Sequence, residues 1–192
     1  MRLPEADPAQ SPELEAAYTE FRRTRGIVSN LMKSFSHAPG GLRAIVELGT
    51  YCRYGTQLTE LQKELVILLA GRGIPYAWHH HAPLGRKAGL SEPQMDAIAA
   101  GTVPSGLDDA DAALAAYVLA YTTLKGVPQP VFDRMVAQFS SRQITDVNII
   151  AGYYLMVAAS MVGMEIVPDP DSTIVQAVSF HTGQPAAPQN QE

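Results

Sequence analysis

Apolar residues along most of this chain recur at intervals of three and four, which is the spacing of one face of a helix. The first such segment follows Ser11 and Pro12, a pair typical of a helix start, and Gly26 is its predicted end. Its apolar face holds Leu14, Ala17, Tyr18 and Phe21. We find no convincing strand pattern between the two ends of the chain, so we predict an all-α fold.

Start and stop signals divide the remaining pattern into further helices. Capping boxes at Thr59–Gln62 and Ser91–Gln94 predict two helix starts, and Gly89 predicts a helix end. The predicted helices after the first cover residues 28–36, 39–55, 59–71, 75–89, 91–101, 108–121, 128–139 and 145–163. The most apolar of the N-terminal half, LQKELVILLAG, is predicted to be a central buried helix.

The last helix is apolar enough to raise the possibility of a membrane span, because no charged side chain occurs from Val147 to Met164. A span needs about 20 apolar residues, and this run is at the short limit. It contains Asn148 and is flanked by Asp146 and Glu165 rather than by Lys or Arg. We therefore predict a helix buried in the core or in a subunit interface, and expect the protein to form homo-oligomers.

The ends of the chain lack this periodicity, which sets the predicted domain limits. Residues 1–11 and 179–192 are polar and contain prolines, so we predict flexible segments there and one domain over 12–178. The N-terminus has no apolar stretch of the kind found in signal peptides, so we expect a cytoplasmic protein without membrane contact. The net charge is −5 and the basic residues are scattered, which disfavours nucleic acid as a partner.

Two short segments suggest an internal duplication. Residues 63–68 (KELVIL) correspond to residues 145–150 (TDVNII), and an acid, Glu64 or Asp146, stands near the start of each predicted buried helix. By itself such a short repeat is weak evidence for a duplicated fold.

Three blocks carry a resemblance to a known family: ELVIL at 64–68, YAWHHHAPL at 76–84 and RKAGLS at 86–91, supported by weaker matches at 28–31, 37–39 and 152–158. With them the chain resembles the carboxymuconolactone decarboxylase family, which shares its fold with the alkylhydroperoxidase AhpD. The likeness runs from about residue 13 to 168. It implies a duplicated all-α bundle, assembly as trimers or hexamers, and a small organic acid or lactone as substrate, without a cofactor.

The chain departs from this family pattern at several positions. In the peroxidase branch a CxxC pair precedes the histidine, but the corresponding residues here are Ile74 and Ala77, ahead of His81. The sequence contains a single cysteine, Cys52, which excludes an intramolecular disulfide, a CxxC pair and a multi-thiolate metal site. In the tryptophan-containing branch a glutamate is usual where this chain has Ala77, and an asparagine is usual where it has Leu155.

The histidine block supplies the candidate catalytic residues. Successive helical residues lie about 100° apart, so His79, His80 and His81 cannot all face one cavity. If His81 faces a pocket, His80 lies over Tyr76. A histidine can donate or accept a proton near neutral pH, as a decarboxylase requires when it protonates the carbanion left by CO2. We predict His80 and His81 as catalytic.

Glu64 is the third predicted catalytic residue, because a carboxylate there could orient the imidazole or hold a water molecule. Tyr76, Trp78, Arg86 and His37 are the predicted substrate-binding residues. Core packing explains the two aromatic residues equally well, and Arg53 and Arg72 are further candidates for holding a substrate carboxylate. We predict no metal site, because adjacent histidines on a helix diverge, although His37 or Glu64 from another helix could complete one.

Three functional hypotheses follow. The first is a cofactor-independent lyase that decarboxylates a small carboxylated lactone or keto acid by histidine-mediated proton transfer. The second is a peroxidase-like antioxidant protein, which the missing CxxC pair argues against. The third is a non-catalytic oligomer that binds a small ligand, motivated by Ala77 and Leu155 at positions where polar groups are usual.

Overall fold

The computed structural model describes residues 1–170, and the predicted tail at 179–192 lies outside them. Every regular element in the described part of the chain is helical, which confirms the all-α prediction. The chain divides into two compact units, one formed by Met1–Thr50 with the segment from Ser160 onward, and the other by Tyr51–Ala159. They are called unit 1 and unit 2 below.

Unit 1 contains the N-terminal helices. The predicted first helix is confirmed: Ser11 Oγ accepts a hydrogen bond from the Leu14 amide at 3.3 Å, and Gly26 ends the helix with a φ of 78°. This helix packs against the third. The elements are a 3₁₀ turn at Pro8–Gln10, α1 (Pro12–Arg25), α2 (Asn30–Lys33) and α3 (Pro39–Thr50). The second helix is thus shorter than the predicted span of 28–36.

Unit 2 is built around α4, the helix predicted to be central. Its elements are a π-helical segment (Tyr51–Gly55), α4 (Glu60–Ala70), α5 (Pro75–Ala88), α6 (Glu92–Ala100), α7 (Asp109–Tyr121), α8 (Gln129–Gln138) and α9 (Ser141–Gly163), which continues into unit 1. α4 packs against α5, α6 and α7, and every residue from 63 to 70 is buried. Residues on this helix are therefore held firmly in the core.

The helix predicted to run from Pro39 to Gly55 changes form at its end. It is α-helical to Thr50 and π-helical over Tyr51–Gly55. Gly55 suits this segment because a Cβ there would lie 2.5 Å from a carbon of the Tyr51 ring. The predicted end at Gly55 is confirmed, but the sequence pattern does not predict the wider π-helical winding. Such segments are often found at functional sites.

The predicted start of the last helix at Thr145 is wrong, because α9 begins at Ser141. The cause is a capping box formed by Ser140 and Gln143: the Gln143 amide donates to Ser140 Oγ at 3.2 Å, and the Ser140 amide donates to Gln143 Oε1 at 3.0 Å. Asp146 therefore lies in the second turn of α9 rather than at its start.

α9 is the one helix among residues 1–170 that is long and apolar enough to cross a membrane. A core helix of a globular protein meets the same criterion, and in α9 44% of the most apolar 18-residue window is buried. Val147, Ile150, Ala151 and Val157 are at most 1% exposed. Asp146 is also fully buried, and its carboxylate accepts hydrogen bonds from Tyr51 and from the Gln57 amide. Burial of a charged group is costly unless the group is paired.

Candidate functional site

Glu64 is the centre of the candidate site. It lies in the second turn of α4, where the Thr59–Gln62 capping box fixes the helix start through two hydrogen bonds of 3.1 Å. Its side chain is 1% exposed. A buried carboxylate is strongly unfavourable unless charged or hydrogen-bonding groups surround it, and two such groups contact Glu64.

Arg53 is the first of these groups and comes from the π-helical segment. Its Nη1 donates a hydrogen bond to Glu64 Oε1, and its Nη2 lies 3.1 Å from Glu60 Oε2. Lys63 Nζ donates to the Arg53 carbonyl oxygen at 3.0 Å and to Glu60 Oε1 at 2.7 Å. Arg53 is therefore held through both its guanidinium and its backbone.

His81, on α5, is the second group. Its Nδ1 lies 2.9 Å from Glu64 Oε2, and its ring meets the Tyr154 ring edge to face, with centroids 5.2 Å apart. Since an ionised carboxylate only accepts hydrogen bonds, Nδ1 carries the proton and Nε2 is the nitrogen left to exchange one. Within the described residues Nε2 has no hydrogen-bond partner, and the side chain is 16% exposed.

The electrostatics keep Glu64 ionised. Burial raises the pKa of its carboxyl group, but the charges and hydrogen bonds of His81 and Arg53 outweigh burial and hold the pKa below its ordinary value. Burial likewise lowers the pKa of Arg53, whereas the charges of Glu64, Glu60 and Tyr154 raise it by more. The result is a fixed ion pair with a histidine hydrogen-bonded to its carboxylate.

The other two histidines of the block lie apart from Glu64. His80 stacks on Tyr76, with ring centroids 4.3 Å apart and planes 18° from parallel, the arrangement expected when His81 faces inward. His79 meets the His80 ring edge to face at 5.8 Å. Trp78 is half-buried on the same helix. The histidine whose ring nitrogen bonds Glu64 in the structure is His81.

The remaining predicted binding residues have local partners. Arg86 is exposed and bonds Glu92 through Nε at 2.6 Å, and Arg72 Nη1 donates to Thr122 Oγ1 at 3.0 Å. His37 belongs to unit 1, where its Nε2 lies 2.8 Å from the Pro4 carbonyl oxygen. Their part in binding a substrate stays a prediction.

A metal or thiol centre requires particular side chains, and the described residues can be compared with that requirement. Among residues 1–170 no three His, Cys, Asp or Glu side chains are grouped so as to hold a metal ion. At the positions where the peroxidase branch has its cysteines, Ala77 is buried and Ile74 half-buried. Cys52 is buried next to Arg53 in the π-helical segment. The arrangement fits proton transfer at His81.

Sequence reasoning missed the role of Arg53 and a second buried acid cluster. The sequence offers Arg53 as a candidate to hold a substrate carboxylate, and in the structure its guanidinium is paired with Glu64. Asp146 accepts hydrogen bonds from Tyr51 Oη at 2.5 Å, from the Gln57 amide at 2.9 Å and from Arg142 Nε at 3.1 Å. The sequence does contain a sign of both clusters: Glu64 and Asp146 stand at the same place in two similar segments predicted to be buried helices, and a buried acid requires a partner.

No protein-family profile and no curated protein matches the chain. Solved structures do. A peroxidase-related protein from a Silicibacter species is 17% identical, with a TM-score of 0.73 over 89% of this chain and 92% of that one. The debrominase Bmp8, in complex with 2,3,4-tribromopyrrole, is 13% identical, with a TM-score of 0.71 over 94% and 97%.

A third similar structure is an Agrobacterium tumefaciens protein of unknown function, for which the name AhpD and a role in antioxidant defence have been suggested. It is 21% identical, with a TM-score of 0.64 over 71% of this chain and 95% of that one. At these identities the likeness concerns the fold and not the activity. The chain has the AhpD-like helical fold.

Proposed function

We propose that this protein is a cofactor-independent lyase that decarboxylates a small carboxylated lactone or keto acid, with His81 as general acid and base. The observation that carries the proposal is the 2.9 Å contact between His81 Nδ1 and Glu64 Oε2. It fixes the tautomer of the imidazole and leaves Nε2 for the substrate. A histidine oriented in this way by a buried carboxylate is a common arrangement for proton transfer.

The reaction balances with one proton. The bond between the substrate carbon and its carboxylate breaks, CO2 leaves, and the electron pair is delocalised as an enolate or dienolate onto the neighbouring carbonyl group. Protonated His81 then gives the Nε2 proton to that carbon and recovers one from water. No electron acceptor is involved, which agrees with a chain that has a single cysteine.

Arg53 supports this role by its charge. Without a cation beside it, a buried Glu64 would become protonated, either by His81 or by water. With Arg53 bonded to one carboxylate oxygen and His81 to the other, the carboxylate stays ionised while the imidazole cycles between its two protonation states. We call Arg53, Glu64 and His81 the relay.

Assembly and location are part of the proposal as well. We expect a homo-oligomer, a trimer or hexamer, in the cytoplasm, acting on a small-molecule acid or lactone. Sedimentation equilibrium at micromolar concentration checks the assembly, and a monomer there would contradict it.

The test is a decarboxylation screen of the full chain over carboxylated lactones and aromatic keto acids, with CO2 release as the readout. In D2O the product should carry one deuterium at the carbon that lost CO2. For the best substrate, His81→Gln and Glu64→Gln should reduce kcat by about 10²–10⁴-fold.

His79→Gln is the matched control, because it removes an imidazole of the same helix whose ring meets His80 edge to face, and it should leave kcat within a few-fold of the original. Unchanged turnover in folded His81→Gln would refute the assignment. Saturable binding of the panel without CO2 release would instead favour the non-catalytic ligand-binding hypothesis.

A further inference from the structure

The segment that carries Arg53 is held at both ends by one carboxylate. Asp146 accepts a hydrogen bond from Tyr51 Oη on one oxygen and from the Gln57 amide on the other, at 2.5 and 2.9 Å. Arg53 lies between these two attachment points in the sequence. We call the hydrogen bonds of Asp146 to Tyr51 and Gln57 the clamp.

Two further features restrict the clamped segment. Arg142 Nη2 donates to Tyr51 Oη at 2.8 Å and to the Gly55 carbonyl oxygen at 3.3 Å. The Tyr51 ring lies so close to Gly55 that a Cβ at position 55 would be 2.5 Å from it. The π-helical winding of Tyr51–Gly55 is thus stabilised by hydrogen bonds from Arg142 of α9 and by packing of the Tyr51 ring against the backbone of Gly55.

We propose that Asp146 is a positioning residue for the relay, because the clamp sets the winding that directs the Arg53 guanidinium onto Glu64. A π-helix bonds i to i+5 and is rare without a local cause. If the segment returned to the α-helical i to i+4 pattern, each side chain in it would point in a new direction. Arg53 would then lose its register with the Glu64 carboxylate.

The consequence reaches His81 through Glu64. With Arg53 displaced, burial would dominate and the pKa of the Glu64 carboxyl group would rise. A protonated Glu64 no longer requires the proton of His81 on Nδ1, so both tautomers of the imidazole become populated. The inference rests on the proposed function only in treating the relay as the working group, since both effects are properties of the free protein.

The test compares two substitutions that are nearly identical in chemistry. Tyr51→Phe removes a hydroxyl that donates to Asp146, and Tyr117→Phe removes one that donates to Asn148 Oδ1, two residues further along α9, at 2.9 Å. Asp146→Asn opens the clamp directly, because an amide nitrogen cannot accept the bonds of the lost oxygen. Tyr117→Phe leaves the clamp intact and is the control.

The readouts are NMR measurements made without substrate. Long-range ¹H–¹⁵N spectra give the His81 tautomer, and the ¹³C shift of the Glu64 carboxyl carbon gives its titration. In Asp146→Asn and Tyr51→Phe we expect loss of the pure Nδ1–H form and a Glu64 pKa higher than that of the original protein. Tyr117→Phe should match the original protein in both measurements.

Folded Asp146→Asn with the original tautomer and Glu64 titration overturns the proposal and leaves Asp146 a merely structural residue. Should Asp146→Asn fail to fold, Tyr51→Phe decides, since it removes no buried charge. Equal changes in Tyr51→Phe and Tyr117→Phe also count against the clamp, because they would reflect general loosening of α9. None of these results depends on turnover, so a wrong substrate class cannot be confused with a wrong clamp.

Discussion

Glu64 and Asp146 occupy corresponding places in the two similar sequence segments, 63–68 and 145–150, which are called the two repeats below, and they differ in what surrounds them. Both lie in the second turn of a buried helix and both are at most 1% exposed. Glu64 contacts an arginine and a histidine. Asp146 contacts a tyrosine, a backbone amide and an arginine. The acid is shared between the repeats and the partners are not.

The partners decide what each acid can do. The hydrogen bond to Asp146, together with burial and the charge of that carboxylate, raises the pKa of Tyr51, and arginine stays protonated throughout the physiological range. Neither side chain exchanges protons near neutral pH, whereas a histidine does. Asp146 therefore serves as a structural acceptor, whereas Glu64 contacts a group that can exchange a proton, as the proposed function requires.

The largest expected difference between the two clusters is in stability. Arg53→Met leaves Glu64 buried without its cation, which should lower the free energy of unfolding by about 3–5 kcal/mol. Arg142→Met removes a cation whose side chain is 51% exposed and leaves Asp146 its hydrogen bonds from Tyr51 and the Gln57 amide, so the stability of this variant should change much less. Urea unfolding at neutral pH, followed by circular dichroism, measures both. Equal losses of stability in the two variants would show that Glu64 depends on its arginine no more than Asp146 does.

The next difference is the pH range in which each acid contributes to stability. The pKa of each is lowered in the folded protein from its ordinary value, 4.5 for Glu64 and 3.8 for Asp146; in both cases burial opposes the shift and the bonded donors prevail. Such a group stabilises the fold above its unfolded pKa, and the contribution is lost as pH falls through the folded pKa. Each unit of lowering is worth about 1.4 kcal/mol.

Stability of the original protein should therefore begin to fall below pH 4.5, and Glu64→Gln should flatten that part of the curve. Asp146→Asn should flatten the part that begins below pH 3.8. Urea unfolding at a series of pH values measures both slopes, with the exposed residue Glu47→Gln as control. A Glu64→Gln curve parallel to that of the original protein would mean that the carboxylate is not held ionised by its neighbours.

Local signals in the sequence predicted much of the fold but few of the contacts in the site. The capping box at Thr59–Gln62 and the glycine at 26 depend on neighbouring residues, so the helix limits that they predict are confirmed. The stacking of His80 on Tyr76 follows from the spacing of one helical turn. The pairing of Arg53 with Glu64 joins two elements through a π-helical segment, and no periodicity encodes that winding.

The smallest expected effect concerns a feature that the two repeats share, the cap at the start of each helix. Thr59→Ala and Ser140→Ala each remove a side-chain oxygen that accepts a hydrogen bond from a backbone amide. Each should cost about 0.5–2 kcal/mol in urea unfolding. Similar losses would show that the two helix starts contribute equally to stability, so that the repeats differ in the partners of the acid.

Thr145→Ala separates the cap at Ser140 from the helix start that the sequence predicted. Thr145 lies one turn inside α9, where its Oγ1 donates to the Ser141 carbonyl oxygen at 2.8 Å. That carbonyl already belongs to the helical hydrogen-bond pattern, so no backbone group loses its sole partner. Thr145→Ala should therefore leave urea stability almost unchanged. A greater loss of stability for Thr145→Ala than for Ser140→Ala would indicate that Thr145 caps the helix. Asp146 would then lie in the first turn, and its place would no longer correspond to that of Glu64.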